Sequence, residues 1–175
     1  MFGPVESVAH IGERVHDHAS DIGGDAGRLA VGGDSSGGNL AAVVALRAGD
    51  GGLPLDLQVL VYPVLDCVGA PDVAYWVSQY LGTEADAMNP EASPLRATDL
   101  DGVALALALS CGLDPLMEQG EAYVRRLGEA GVRARHICYP DLIHGAYRMP
   151  GVLPAARRML EDSASALVNA FGRPS

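Results

Sequence analysis

At 175 residues the chain has the length of one domain and can bury roughly 70% of the surface its unfolded form exposes. Hydrophobic residues at 49% and charged residues at 19% exclude a disordered chain. A net charge of -10 excludes a general nucleic-acid binder, which needs a basic face to displace counterions.

Val5, Val8, Ile11 and Val15 recur at helical spacing, which predicts an amphipathic helix over 4–20, ended by Gly23-Gly24. Residues 28–33 form a short apolar strand closed by glycines, and 36–48 a helix. After a break at 51–54 comes a second strand, 57–62. Four prolines make 63–100 irregular, with one short helix near 72–81. Residues 103–109 are apolar on both faces, as in a buried parallel strand. A helix over 115–130 ends at Gly131, a fourth strand spans 132–139, and a last helix over 151–171 turns Ala156, Met159, Leu160, Ser163 and Leu167 inward. Alternation of this kind predicts an α/β fold of about four parallel strands with helices on both faces. Ligands in such sheets bind beyond the carboxyl ends of the strands.

The first strand ends in Gly33-Asp34-Ser35-Ser36-Gly37 with a helix directly after it, a G-x-S-x-G in its strand–turn–helix setting. The tight turn makes a side chain at Gly33 or Gly37 a clash, lifts Ser35 above the sheet, and leaves the Ser36 N–H free to meet an oxyanion. Ser36 is the competing nucleophile. The third strand is followed by Asp114-Pro115, which reads both as a helix cap and as the acid of a triad. Asp66, past the second strand, is the competing acid. His144 follows the fourth strand, where a serine hydrolase needs a general base, and the order Ser…Asp…His is that of α/β-hydrolases. The other histidines fit less well. His10, His16 and His18 lie on the first helix, where positions two apart do not share a face and make a poor metal pair, and His136 lies within a strand. Cys67, Cys111 and Cys138 are too few and too scattered for a disulfide framework or a zinc site. They read as buried small residues of a reduced, cytoplasmic protein. No stretch reaches the ~18 apolar residues of a membrane span. The start, MFGPVESVAHIGERV, lacks the basic and apolar regions of a signal peptide.

Together GDSSGGNLAA, GLDPLMEQGEAYVRRLGEAGV and YPDLIHGAYRM resemble the hormone-sensitive-lipase-like family of α/β-hydrolases, over essentially the whole chain. The resemblance implies Ser35 as nucleophile, Asp114 as acid, His144 as base, carboxylic esters with short acyl chains as substrates, and neither cofactor nor metal. It departs from the family in one respect. The His-Gly-Gly-Gly segment that lies upstream of the nucleophile in the family has no counterpart, since the only His-Gly here is His144-Gly145. The chain therefore resembles the C-terminal half of such an enzyme: one domain, residues 1–175, without the N-terminal strands and cap. Three expectations follow. The oxyanion site is incomplete, so turnover is low. The strand over 28–33, central in the family's larger sheet, becomes an edge that recruits a second copy into a homo-oligomer. The alternative to an esterase is a weak or inactive remnant, an oligomer-forming non-enzyme.

Overall fold

A computed structural model describes residues 3–50, 53–68, 74–81 and 83–172. Four parallel strands, β1 (Leu29–Asp34), β2 (Leu55–Val61), β3 (Leu105–Leu113) and β4 (Ala134–Ile143), lie side by side in chain order. Each strand-to-strand passage carries helix: α2 (Ser36–Gly49), then α3 (Ala74–Tyr80), then α4 (Met117–Glu129). The first helix, α1 (Gly3–Asp17), packs on α2, and the last, α5 (Pro154–Phe171), closes the chain. The alternating pattern of β2 and β3 divides the core in two. Leu60, Ala106 and Ala108 meet Ala41, Ala42 and Ala45 of α2 and Tyr123 and Leu127 of α4. On the opposite face Val59, Val61, Leu107 and Leu109 meet Met159 and Ala170 of α5. Small alanines on α2 let it lie close to the sheet, whereas the second layer is filled by larger side chains. The inward stripe expected for α5 is observed, with Ala156, Met159 and Ser163 buried and Leu160 and Leu167 half-buried.

Two strands run further than the sequence suggests. β3 continues to Leu113 and β4 passes through Pro140 to Ile143. Proline ends a central strand but is tolerated at an edge, where its missing N–H faces away from the ladder, and β4 is an edge of this sheet. The β3–β4 register slips here: Cys111 opposes Tyr139 and Leu113 opposes Ile143, so two steps of β3 match four of β4. Gly112 permits the slip, because a Cβ there would stand 2.5 Å from the Pro140 carbonyl oxygen. The kink turns the last residues of β4 back over the end of the sheet, toward the elbow after β1.

Other expectations are corrected. Cys67 and Cys111 are buried, but Cys138, in the edge strand β4, is exposed. In α1, Ile11 and Val15 of the expected apolar stripe stay largely exposed, since the helix meets α2 on one side only among the described residues. The short helix expected near 72–81 is α3, while residues 69–73 lie outside the described residues. Of the two elbow glycines, Gly33 is crowded as expected and Gly37 is not. A Cβ on Gly33 would lie 2.3 Å from the backbone of Gly37, and one on Gly38 would lie 2.8 Å from Pro63, yet one on Gly37 would meet nothing within 4 Å. Gly33 is crowded by the start of α2 and Gly38 by Pro63 beyond β2, so the steric demand falls on these two.

In urea unfolding, Gly33→Ala is expected to cost about 3 kcal/mol or more through overpacking against backbone that cannot move aside. Gly37→Ala, in the first turn of α2, is expected to be neutral or up to about 1 kcal/mol stabilising, because alanine is the better helix former. Equal losses at the two positions would contradict this account of the turn.

Candidate active site

Ser35 stands between β1 and α2 with φ 56° and ψ -116°, a conformation that L-residues avoid. Holding it there costs on the order of 1–3 kcal/mol, so the surroundings must impose it. Three backbone bonds do so. The Ser35 N–H donates to the Val61 carbonyl at 2.9 Å, and the Ser35 carbonyl accepts from the N–H groups of Asn39 at 3.1 Å and Val64 at 3.2 Å. Asn39 adds a buried brace, its side-chain amide donating to the carbonyls of Val64 and Ala92, both at 2.8 Å. Although Ser35 occupies the cap position of α2, its Oγ makes no capping bond. That oxygen lies 2.9 Å from Nε2 of His144.

His144 follows β4 directly, placed by the kink against Gly112. Its Nδ1 lies 2.6 Å from Oδ2 of Asp114, whose side chain has no solvent exposure. The second oxygen, Oδ1, accepts the Leu116 N–H at 3.0 Å. Asp114 is thus at once the cap-like anchor of the turn before α4 and the partner of an imidazole. A carboxylate shared in this way fixes which ring nitrogen carries the proton, leaving Nε2 to accept the hydrogen of Ser35. Behind the imidazole stands the buried ring of Tyr62, 4.6 Å away between centroids and tilted by 50°. Below Asp114, Cys111 is pushed up to about 12 by burial and by the nearby carboxylate, so it remains a neutral thiol.

The structure brings Ser35, His144 and Asp114 into one hydrogen-bonded line from three separate strand ends. It does not bring Asp66 there. Both oxygens of Asp66 are taken by the Arg96 guanidinium at 2.9 Å, and the loop around it is bracketed by Gln119, which accepts the N–H groups of Leu65 and Asp66. Ser36 is the first residue of α2, and its N–H is one of the first-turn donors that no intrahelical acceptor satisfies. The remaining histidines are engaged elsewhere: His10, His16 and His18 face Glu13, Asp17 and Asp21, and His136 bonds the buried Ser110 at 2.9 Å. Among the described residues no group of three His, Cys, Asp or Glu side chains is placed to hold a metal ion, and no helix is long and apolar enough to cross a membrane. Sequence reasoning missed the braces. Asn39 and Gln119 lie inside the motifs after the first and third strands, but nothing in a linear pattern says which backbone groups they reach.

A family profile described as alpha/beta hydrolase fold matches residues 4–148. The carboxylic ester hydrolase LipN of Mycobacterium tuberculosis is 39% identical over 152 residues, covering 74% of this chain and 40% of that protein. An ethyl acetate hydrolase of Pseudomonas putida is 35% identical, covering 80% of this chain and 49% of that protein. Among solved structures, a thermostable carboxylesterase cloned from a metagenomic library superposes with a TM-score of 0.91 at 32% identity, over 97% of this chain and 64% of its own. A hyperthermophilic esterase from Pyrobaculum calidifontis gives a TM-score of 0.88 at 34% identity, over 93% and 59%. The chain spans about half the length of the curated relatives it matches. By its fold, by the motifs at three strand ends and by these relatives, the chain belongs to the alpha/beta hydrolase family, in the hormone-sensitive-lipase-like branch that its motifs resemble.

Proposed function

We propose that this chain carries the acyl-transfer machinery of a serine hydrolase acting on short-chain carboxylic esters, with Ser35 as nucleophile, His144 as base and Asp114 as its orienting acid. The observation that carries the reading is the unbroken line from Ser35 Oγ through the imidazole to the buried Asp114 carboxylate. His144 Nε2 takes the proton as Ser35 Oγ attacks the ester carbonyl. The carbonyl electron pair moves onto oxygen, where the Ser36 N–H meets it as a donor. On collapse His144 returns the proton to the departing alkoxide, leaving an acyl-serine and a free alcohol. Water, deprotonated by the same imidazole, attacks the acyl-serine and releases the carboxylic acid. Asp114 stabilises the imidazolium formed at each step without accepting its proton. Relatives bearing the names carboxylic ester hydrolase, esterase and ethyl acetate hydrolase support the substrate class.

An organophosphonate ester is expected to label the chain at Ser35, as read by mass spectrometry of the modified peptide. Ser35→Ala is expected to abolish labelling, and Ser36→Ala to retain it. The opposite pattern moves the nucleophile one residue along.

For p-nitrophenyl acetate, Asp114→Asn is expected to lower kcat by about 10³–10⁴, because the imidazole loses both its orientation and its counter-charge. Asp66→Asn breaks the Arg96 pair and is expected to act on thermal stability rather than on kcat. A larger kcat loss at Asp66 would move the acid to the end of β2.

We also propose that the chain self-associates through β1 and resides in a reducing, cytoplasmic compartment, where its three free cysteines persist as thiols. Among the described residues no strand pairs with the outer side of β1. A groove of about 410 Å³ runs along that strand, lined by Ala30, Gly32, Val59, Val61, Tyr147 and Leu167, and Ile11 and Val15 of α1 are exposed as well. An unpaired apolar edge of this kind is a template for another chain. Light scattering at micromolar concentration is expected to give a dimer or larger species, and a stable monomer refutes the assignment.

A further inference from the structure

Asp34 separates Gly33 from the nucleophile of the proposed triad, and its carboxylate does not stay on its own element. Oδ2 of Asp34 accepts the Arg148 Nε–H at 2.9 Å and lies 2.7 Å from Arg148 Nη2, across 114 positions of sequence. Arg148 ends the short 3₁₀ turn Ala146–Arg148, which starts two residues after His144. The same carboxylate oxygen receives a long hydrogen bond, 3.4 Å, from the hydroxyl of Tyr62. Tyr62 is fully buried, holds a φ of 36° unusual for a non-glycine residue, and lays its ring against the imidazole. Burial and the facing Asp34 push the Tyr62 phenol well above its usual range, so it remains a donor. Two contacts therefore join the elbow after β1 to the turn after β4: Ser35 with His144, and Asp34 with Arg148. Together with the chain between them they close a ring, and Tyr62 leans on both.

We propose that Asp34 and Arg148 are positioning residues: their ion pair fastens the turn that follows His144 to the residue that precedes Ser35, and so holds the imidazole against Tyr62 within reach of the serine hydroxyl. The Arg148 side chain is 72% exposed, and exposed pairs add little to stability. Its effect is geometric, on a ring nitrogen that must stay in hydrogen-bond contact with Oγ. The sequence shows neither partner, because the pair connects two motifs read separately, and Arg148 lies past the part of the last motif that carries the chemistry.

The inference rests on the esterase reading above, so its test has one arm that depends on turnover and one that does not. With p-nitrophenyl acetate, Arg148→Ala is expected to lower kcat about tenfold with KM unchanged, the mark of lost alignment rather than lost binding. Arg148→Lys, which keeps a cation in reach of Asp34, is expected to retain most of the rate. Asp34→Asn combined with Arg148→Ala is expected to be no worse than the poorer single variant. In the second arm, proton NMR of the wild-type chain is expected to show the His144 Nδ1–H far downfield, bonded to Asp114, and Arg148→Ala to broaden it by faster exchange with water. A sharp, unmoved resonance in Arg148→Ala overturns the proposal even if the wild-type chain hydrolyses nothing, an outcome that would itself count only against the esterase reading. Unchanged kcat in Arg148→Ala, or losses that multiply in the double variant, overturn it equally.

Discussion

Asp114 sets a side chain with no solvent exposure at the end of β3, and a carboxylate in that position is tolerated only if both of its oxygens find donors. One donor is local, the N–H of Leu116 two residues on. The other has to come from elsewhere in the fold, and it is the imidazole of His144, thirty residues later. Much of the architecture at this end of the sheet serves that bond. β4 has to overrun Pro140, which only an edge strand permits, and has to slip against β3, which only a glycine at position 112 permits. The turn after His144 then has to be fastened, and the fastening falls to Arg148 and Asp34. Removing the carboxylate would leave an imidazole without a fixed tautomer. Removing the imidazole would leave a buried charge with half its hydrogen bonds, which is the costlier fault.

What was legible in the sequence was whatever depends on local pattern. The apolar run of β3 announced a strand buried on both faces, and the spacing of Ala156, Met159 and Ser163 announced the inner side of α5. The glycine-flanked serine, the Asp-Pro and the histidine were each found by their place after a strand. Less legible was anything set by where a strand lies across the sheet. The usual habit of cysteine points Cys138 to the core, yet it is exposed in an edge strand. The pattern of the fourth strand stops at Tyr139, whereas the edge position lets β4 run on through Pro140 to Ile143. The motif alone suggests a steric role for Gly37, which the fold does not give it. Which glycine is crowded depends on how closely α2 approaches the end of β1 and the chain beyond β2, and the crowded ones are Gly33 and Gly38.

The strain at Ser35 is carried asymmetrically. Every backbone bond that holds its positive φ comes from the β2 side or from α2: Val61, Val64 and Asn39, with Asn39 anchored in turn to Ala92. On the outer side of β1 no described strand contributes. Among the described residues the elbow is fixed at the flank of the second strand and the loop beyond it. This makes sense of the long excursion between β2 and β3, which would otherwise be an expensive way to connect neighbouring strands. Its residues Val64 and Ala92 are the acceptors that Asn39 needs, and its Cys67, Ala87 and Ala92 form a small core of their own against Val43 of α2. Asp66 belongs to the same framework. Its pairing with Arg96 closes the excursion on itself, and its bracketing by Gln119 ties the excursion to α4, the helix that starts just after Asp114. The residue that competed in sequence for the part of the acid thus sits in the scaffold that keeps the serine's backbone in its strained state. The end of β2 supports the nucleophile, while the end of β3 orients the base.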